Sequence, residues 1–206
     1  MTTALLQTTY FGPVQWYQKL KRYDHCVIEQ YDSYQKQTYR NRCVIATANG
    51  LQALTVPVDH SPLTIDHVQC KDLRISDHNQ WRRVHWNALQ SAYSESPFFE
   101  YYADDIRPFF EQKYEFLIDF NEAIRQKICE LIDIEPKVEY TEEFISSTPS
   151  TIADYREVIH AKHPQPDADF TPKRYWQVFE RKHGFQPNLS ILDLLFNMGT
   201  ESVFYL

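Results

Sequence analysis

Apolar and polar positions at the start of the chain follow strand and helix periods in turn. The run ALLQTTY, residues 4–10, predicts a short strand, and Gly12-Pro13 ends it. Apolar residues in VQWYQKLKRY, residues 14–23, then recur at the spacing of an amphipathic helix. The apolar run HCVIEQY, residues 25–31, has the length of a strand. Strand, helix and strand in this order predict two parallel strands joined by a helical crossover.

The next signal is a turn between two runs rich in β-forming residues. Asn49-Gly50 separates RCVIATA from LQALTVPV, and this pair supplies the positive φ that both central residues of a type I′ turn need. A β-hairpin is therefore predicted here. A further strand is expected in HVQCKDLRIS, residues 67–76, where apolar and polar residues alternate with one slip of phase.

The middle of the chain has helical spacing. Apolar residues from 81 to 92 recur at i, i+3 and i+4 and predict a helix. Pro108 is expected in the first turn of a later helix, where its missing N–H is harmless. Another apolar stripe over residues 116–131 predicts a helix that ends before Pro136.

The C-terminal part alternates polar turns with short apolar segments. KVEYTEEF, residues 137–144, predicts a strand, and the serines, threonines and proline of residues 146–151 predict a turn. SILDLLFNMG, residues 190–199, predicts a short buried helix that ends at its glycine.

These elements predict one α/β domain. The 206 residues are 43% hydrophobic, which is enough to form a packed core. We expect a mixed, partly parallel sheet with flanking helices over residues 1–206. Its parts are a sheet-rich region (1–76), a helical region (77–135), and a C-terminal region with a strand, irregular segments and helices (136–206).

Composition and charge remove several classes of function. The four glycines lie far apart, so the chain has neither a G-x-G-x-x-G fingerprint nor a phosphate loop. A net charge of −7 makes nucleic acid an unexpected partner. The four cysteines contain no C-x-x-C pair, and no apolar run has the length of a membrane span. Since the start of the chain also does not resemble a signal peptide, we expect free thiols in a cytoplasmic protein.

A polar and aromatic segment, QYDSYQKQTYRNR, holds the densest group of candidate ligand-binding residues. Lys36, Arg40 and Arg42 alternate there with tyrosines, and on an extended chain the two arginines point to one face. Arginine binds a carboxylate or phosphate through two parallel hydrogen bonds. The segment therefore predicts a concave site for a small anionic ligand, and an ordinary solvated strand edge is the alternative.

The histidines offer candidates for proton transfer rather than for a metal. His160 and His163 have H-x-x-H spacing without the glutamate of a zinc protease, so neither a metal nor a cofactor is predicted. His85 is a candidate general base, with a hydrogen-bonded core histidine as the alternative. The segment ISSTPS, residues 145–150, resembles the serine-rich phosphate loop of HIGH-type nucleotidyltransferases, but residues 10–15 hold no histidine to match their H-x-G-H element.

Three stretches together resemble the bacterial WbqC-like family. LLQTTYFGPVQWYQKLKRYDHCVIEQ is similar to the family's Gln-Pro-x-Tyr-x-Pro opening with its helix and strand, although Thr8 replaces the usual proline after Gln7. KQTYRNRCVI is similar to the family's run of Lys, aromatic and Asn-Arg-x-x-Ile. PNLSILDLLFNMG is similar to the closing motif, which is the most specific of the three.

The resemblance implies a transferase of surface-polysaccharide (O-antigen) biosynthesis that moves a glycyl or other aminoacyl group to an amino sugar. Such a transfer needs an anion clamp and a general base, and we expect His85 and Tyr10 as the catalytic residues. The residues expected to contact an anionic or sugar-nucleotide ligand are Gln7, Lys36, Tyr39, Arg40, Asn41, Arg42, Asp193 and Asn197. A non-catalytic sugar-nucleotide-binding or scaffold protein is the alternative.

Asp193 and Asn197 lie four residues apart in the apolar closing motif. A helix that is apolar nearly all round must be buried, and a buried carboxylate needs a partner. Two hypotheses follow. Either the two residues face the site built by the first strands, or Asp193 pairs with Arg40 or Arg42 and holds the core together.

Overall fold

A parallel sheet of four strands forms the centre of the computed structural model, which describes residues 2–59 and 68–206. The strands are β1 (Thr3–Gln7), β2 (His25–Glu29), β5 (Val138–Tyr140) and β6 (Ile152–Asp154), in the order β5-β2-β1-β6. β1 pairs in parallel with β2 on one side and with β6 on the other. The predicted parallel pair at the N-terminus is therefore confirmed.

The central position of β1 follows from its composition. Ala4, Leu5 and Leu6 have no exposed surface, as expected for a strand that parallel neighbours flank and helices cover on both faces. The strand that completes this sheet, β6, was not predicted. It is only three residues long and directly follows the polar turn region, so it carries almost no periodic signal.

Seven α-helices are present in the described part of the chain. They are α1 (Val14–Arg22), α2 (Trp81–Tyr93), α3 (Phe99–Ile106), α4 (Pro108–Glu111), α5 (Leu117–Leu131), α6 (Glu180–His183) and α7 (Ile191–Met198). Pro108 occupies the first turn of α4, and α5 ends before Pro136, as predicted. The predicted closing helix is confirmed as α7, which ends at Gly199 with a positive φ.

The predicted hairpin is confirmed, but its turn type is not. β3 (Arg42–Thr47) pairs antiparallel with β4 (Gly50–Thr55), and Thr47 lies opposite Gly50. Of the residues from Thr47 to Gly50, only Gly50 has a positive φ, at +108°. The turn therefore has Ala48-Asn49 at its centre and a left-handed glycine after them, which is the pattern of a type I turn with a bulge rather than a type I′ turn.

The prediction of a strand over residues 67–76 is wrong for residues 68–76. His67 lies outside the described residues. Cys70–Asp72 forms a single 3₁₀ turn. The flanking residues make isolated bridges to three different places: Gln69 to Ser33, Ile75 to Val58 and Arg74 to Phe116. The apolar residues of this segment are buried because it crosses the core between loops, so alternation alone mimicked a strand.

One hydrophobic core joins all of these parts. It includes residues of the sheet, the helical middle and the closing helix, among them Leu6, Phe120 and Phe196. The chain is thus a single mixed α/β domain, in agreement with the predicted fold class. Among the described residues, no helix is long and apolar enough to cross a membrane.

Candidate functional site

The strand order places a crevice at the carboxyl end of β1. The chain leaves β1 toward β2 on one side, whereas β6 lies on the other side. In open α/β sheets the connections diverge at such a point, and ligands bind outside the carboxyl ends of the strands there. A cleft of about 280 Å³ lies at this position. We call it the edge cleft, and its lining consists of Asp32, Ser33, Gln35, Phe144, Asp154, Arg156 and Glu157.

Arg156 is the best-anchored side chain of the edge cleft. It follows the end of β6 and binds both oxygens of Asp154, with its Nη2 2.6 Å from Oδ2 and its Nε 3.0 Å from Oδ1. Its Nη1 donates to the carbonyl of Ile145 at 2.7 Å and lies 3.4 Å from the Glu29 carboxylate. Because a planar guanidinium held by several acceptors is fixed in orientation, Arg156 forms a rigid part of the lining of the edge cleft.

Glu29 lies next to Arg156 and holds the surrounding segments together. It ends β2, has no exposed surface, and accepts hydrogen bonds from the backbone N–H of Tyr31 at 2.8 Å and of Ile145 at 2.9 Å. The Thr141 hydroxyl donates a third at 2.8 Å. A buried carboxylate needs hydrogen-bond donors, and these three contacts supply them. Glu29 thereby connects β2 to the segment that carries Phe144.

Arg40 and Asp32 form a buried ion pair at the edge cleft, which Asp32 lines. The side chain of Arg40 is 2% exposed and that of Asp32 is 11% exposed. The contact uses one nitrogen of Arg40 and Oδ2 of Asp32. Within residues 2–59 and 68–206, neither Nε and Nη1 of Arg40 nor Oδ1 of Asp32 has a hydrogen-bond partner. These atoms are buried, and the thiol of Cys70 is the hydrogen-bonding group that lies beside both side chains.

The thiol of Cys70 lies beside the same pair. Burial raises the pKa of Cys70, and the negative charge of Asp32 adds to this effect while Arg40 opposes it. Cys70 is therefore a neutral thiol that fills space next to the charges.

The edge cleft is acidic overall. Its lining carries the carboxylates of Asp32, Asp154 and Glu157 against the single guanidinium of Arg156. Carboxylates hydrogen-bond to ammonium groups and to hydroxyls. The lining thus favours a polyhydroxylated or cationic ligand over an anion.

Gln7, one of the residues expected to contact a ligand, is the last residue of β1. Its Nε2 donates to the carbonyl of Ile159 at 2.5 Å, and its Oε1 is buried with no partner among the described residues. His160 follows Ile159, the hydrogen-bond partner of Gln7. Burial lowers the pKa of His160, the charge of Glu157 raises it, and the charges of His163, Arg40 and Lys162 lower it further. The positive charge of Arg40 therefore acts on the segment that Gln7 binds.

The predicted convergence of Lys36, Arg40 and Arg42 is wrong. Residues 36–41 form a turn rather than an extended strand, so the two-residue period that would align both arginines does not apply. Lys36 and Arg42 line a separate cleft of about 300 Å³ beside the hairpin, while Arg40 binds Asp32. We call the second cleft the hairpin cleft; its lining is Tyr34, Lys36, Gln37, Asn41, Arg42, Thr55, Val56, Pro57 and Val58.

A single stretch of chain separates the two clefts. Ser33 and Gln35 line the edge cleft, whereas Tyr34 and Lys36 line the hairpin cleft. The alternation shows that this stretch is extended with its side chains on opposite sides. The acidic cleft and the basic cleft are therefore neighbours.

Tyr39 and Asn41 hold the turn in place. Tyr39 is buried, which raises its pKa to about 12, and its carbonyl accepts the N–H of Tyr10 at 2.9 Å. Asn41 donates from Nδ2 to the carbonyl of Val56 at 2.8 Å. Sequence reasoning missed Asn121, whose Nδ2 donates to the carbonyl of Arg40 at 2.8 Å. These contacts fix the backbone on both sides of Arg40.

Tyr10 and His85 meet, but inside the core. The Tyr10 hydroxyl lies 2.9 Å from Nδ1 of His85, and both side chains are buried. Burial lowers the pKa of His85 to about 4, against the raising effect of a hydrogen bond to the backbone of Thr55. Trp81 packs edge-on against the imidazole, with ring centroids 5.1 Å apart. The geometry is that of a hydrogen-bonded core histidine in an aromatic cluster, which was the alternative to a general base.

Asp193 is buried but has no cationic partner among the described residues. It accepts hydrogen bonds from the hydroxyls of Tyr93 at 2.9 Å and Tyr175 at 2.7 Å, and from Nε2 of Gln177 at 2.9 Å. Asn197 donates to the backbone carbonyl of Asp193 at 2.7 Å. Pairing of Asp193 with Arg40 or Arg42 is therefore wrong, and so is a shared polar face toward the first strands. The carboxylate, which belongs to α7, instead connects that helix to α2 through Tyr93 and to the segment before α6 through Tyr175 and Gln177.

Most residues that line the edge cleft carry no signal in the sequence. Asp32 follows a predicted strand, which is a position where site residues are expected. Asp154 ends β6, a strand too short to predict, and Arg156 follows it, so only the fold brings both to the same edge. No group of three His, Cys, Asp or Glu side chains that could hold a metal ion exists in the part of the chain that the structure describes.

A larger depression, of about 710 Å³, lies at the opposite end of the sheet. It is lined by residues that precede β2 and β5, such as Asp24 and Lys137. Because it is at the amino ends of parallel strands and holds no cluster of buried polar groups, we do not assign it a catalytic role.

Comparison with known proteins places the chain in a family. The model of the WbqC-like protein family matches residues 7–165, which include the last residue of β1, the Arg40–Asp32 pair and Arg156. This chain belongs to the WbqC-like protein family. It is also 27% identical over 225 residues to "Uncharacterized protein Rv1507c" of Mycobacterium tuberculosis, an alignment that covers 98% of this chain and 96% of that protein. No solved structure matches the chain significantly.

Proposed function

We propose that this WbqC-like protein is a transferase of bacterial surface-polysaccharide biosynthesis that moves a glycyl or other aminoacyl group to an amino sugar. The observation that supports it best is the acidic edge cleft at the carboxyl end of β1, whose lining carries the carboxylates of Asp32, Asp154 and Glu157. Membership of the WbqC-like family agrees with this reaction class, which the family resemblance implies.

The edge cleft fits the amino-sugar acceptor. An amino sugar carries hydroxyls and an ammonium group, and both are donors for the three carboxylates of the lining. The ammonium must lose a proton before its nitrogen attacks the acyl carbon. In the proposed reaction Asp32 receives that first proton and passes it to solvent, and the new N–C bond forms. The leaving group departs with the electron pair of the broken acyl bond and takes up the second proton that the nitrogen loses.

The hairpin cleft fits an anionic part of the acyl donor. Lys36 and Arg42 are its cations, and among the residues that the structure describes no carboxylate belongs to its lining. The Nε of Arg42 donates to the Thr55 hydroxyl at 3.1 Å, which leaves its two terminal nitrogens for a phosphate or carboxylate. In this proposal Gln7 and Arg40 position the acceptor site, while Tyr10 and His85 hold the core behind it.

Binding of the acceptor is tested by calorimetry with glucosamine and, as its neutral counterpart, glucose. We expect glucosamine to bind at least about tenfold more tightly, since a charge-assisted hydrogen bond adds about 1.5–3 kcal/mol. Ser33→Trp, which fills the edge cleft from an exposed position, should abolish binding. Ser94→Trp, an exposed position outside either cleft, is the matched control and should bind normally.

Turnover is tested with a glycyl thioester and glucosamine, with glycyl-glucosamine followed by mass spectrometry. Glu157→Gln removes a carboxylate from the exposed rim without breaking the Arg40–Asp32 pair, so it should weaken acceptor binding and leave the melting temperature unchanged. Equal affinity for glucosamine and glucose, or normal binding by Ser33→Trp, would overturn the acceptor site. Specific binding without any product would support the non-catalytic alternative instead.

The nucleotidyltransferase alternative lacks its catalytic element. The loop from Thr8 to Pro13 that follows β1 contains no histidine, although its position matches the place where such enzymes carry H-x-G-H.

A further inference from the structure

A second charged surface lies on the helical side of the molecule. It is a groove of about 360 Å³ between the start of α2 and α4. We call it the arginine groove; its lining is Gln80, Arg82, Arg83, Trp86, Arg107, Phe110 and Glu111. It shares no lining residue with the edge cleft or the hairpin cleft.

The arginine groove is positive in a protein of net charge −7. Three arginines face one carboxylate, that of Glu111, which binds Nε of Arg107 at 2.6 Å. Both partners of that pair are 57% exposed, so the interaction is weak and an ordered phosphate can compete with it. Arg83 is exposed and makes no ion pair with any described residue.

The side chain of Arg82 has a fixed orientation, and its positive charge is only partly balanced. Its Nη1 binds Asp77 at 2.5 Å, and its guanidinium stacks on Trp81 at 4.5 Å from the ring centroid. Asp77 also binds Lys113 at 2.6 Å, so one carboxylate serves two cations. The guanidinium of Arg82 is therefore oriented while the local excess of positive charge remains.

Aromatic rings form the other wall of the groove. Trp86 is half-buried and packs on the buried Phe110 with ring centroids 5.7 Å apart. It also stacks on Phe99 at 5.9 Å. The indole is thus fixed from behind, and a flat apolar ring bound in the groove gains stacking at little cost in side-chain entropy.

We propose that the arginine groove binds a nucleoside diphosphate. An aromatic wall beside three guanidinium groups matches a ligand with a flat base at one end and two adjoining phosphates at the other. Arginine binds phosphate oxygens in pairs, and a base stacks on tryptophan whatever its identity. A bare anion would use only the arginines, and an uncharged nucleoside would use only the rings.

The test is calorimetric titration with UDP and ADP at low salt, beside pyrophosphate and uridine. We expect a nucleoside diphosphate to bind more tightly than either part and to weaken as salt rises. Arg83→Ala and Arg107→Ala should each weaken UDP binding about tenfold, the loss expected for one charge-assisted hydrogen bond. Arg181→Ala, an exposed arginine on α6, is the control and should bind as the wild type does.

Three results would overturn the assignment. Pyrophosphate binding as tightly as UDP would mean an anion site without a base subsite, and uridine binding as tightly as UDP would remove the arginines from recognition. Unchanged affinity in both arginine variants would place any nucleotide elsewhere. Both arginines are exposed, so the melting temperatures of the Arg83→Ala and Arg107→Ala proteins should equal that of the wild type. A loss of binding in these variants then cannot be assigned to unfolding. The outcome is independent of acceptor binding in the edge cleft.

Discussion

At the residue scale, burial decides what each polar side chain of this protein can do. Arg40 and Asp32 form a buried ion pair, and Asp32 also lines the edge cleft. The buried Tyr10–His85 pair lies in an aromatic cluster instead. The same chemical types thus serve binding in one place and packing in another, because only the first place opens onto a cleft.

His85 predicts a specific loss of stability in acid. Its folded-state pKa of about 4 lies below the ordinary value of 6.5, so the unfolded chain binds the proton first as the pH falls. Its contribution to stability is present above pH 6.5 and is lost between pH 6.5 and 4, by about 3 kcal/mol. In His85→Gln, which keeps hydrogen-bonding groups without a titration, urea unfolding should show a flatter dependence over that range.

The matched control for this measurement is His163→Gln, at an exposed position. Its unfolding free energy should follow the wild-type pH dependence. An NMR titration in which the His85 imidazole protonates near pH 6.5 would contradict the prediction.

At the element scale, a few hydrogen bonds hold together segments that are distant in sequence. Just before α7, the Leu189 carbonyl accepts the backbone N–H of Val14 at 3.0 Å, and the backbone N–H of Ile191, the first residue of α7, donates to the Gly12 carbonyl at 2.9 Å. Asp193 then joins α7 to α2 through Tyr93. The closing motif is therefore a packing and anchoring element for the loop after β1.

Tyr175→Phe tests this anchoring. The change removes the hydroxyl that donates to Asp193 at 2.7 Å and should destabilise the protein by about 1–3 kcal/mol at neutral pH. Burial raises the pKa of Asp193 above its usual value, and hydrogen bonds from Tyr175, Tyr93 and Gln177 oppose the rise. A raised carboxyl pKa means that the contribution of Asp193 to stability falls as the pH rises from its usual pKa through its folded-state pKa.

Because the lost hydrogen bond favours the charged form, the deficit of Tyr175→Phe should grow as the pH rises from 4 to 7. Urea unfolding at both pH values measures it. Tyr101→Phe is the control, since Tyr101 is 73% exposed and should cost little at either pH. An equal deficit at both pH values would show that Asp193 does not change its protonation across this range.

At the scale of the whole molecule, all four cysteines are buried, three of them in the hydrophobic core and Cys70 beside the Arg40–Asp32 pair. Cys26, Cys43, Cys70 and Cys129 are buried and unpaired, which agrees with the prediction of free thiols. Burial raises the pKa of Cys26 and Cys43 to about 12 and that of Cys129 to about 11, although nearby Arg125 lowers it in part at Cys26 and Cys129. The thiolate is the reactive form, so none of these cysteines is activated.

We therefore expect almost no reaction of the native protein with a thiol reagent such as iodoacetamide at pH 7.5. In denaturant without a reductant, mass spectrometry should find four modified cysteines. Two or none would mean disulfides and would contradict the structure, while fast modification of the native protein would mean that the core opens readily.

Much of the fold was predictable because its signals are local. The βαβ opening, the hairpin, α2, α5 and α7 follow from hydrophobic period and from glycine and proline positions, which act over a few neighbouring residues. The type of the hairpin turn was not predictable in the same way. The register of pairing, in which Thr47 lies opposite Gly50, moves the turn by one residue and so changes which residue needs a positive φ.

The sequence by itself determined a mixed α/β domain of the WbqC-like kind that opens with a strand, whereas the end of that strand at Gln7 rather than at Tyr10 came only from the structure. Tertiary structure alone decided where the charged residues act. It separated Arg40 from Lys36 and Arg42, gave Asp193 tyrosine partners, and brought Asp154 and Arg156 to the edge beside Asp32. The physical reason is that periodicity reports which face of an element is apolar, whereas an ion pair or a cleft depends on distances between elements remote in sequence, which only the packed core fixes.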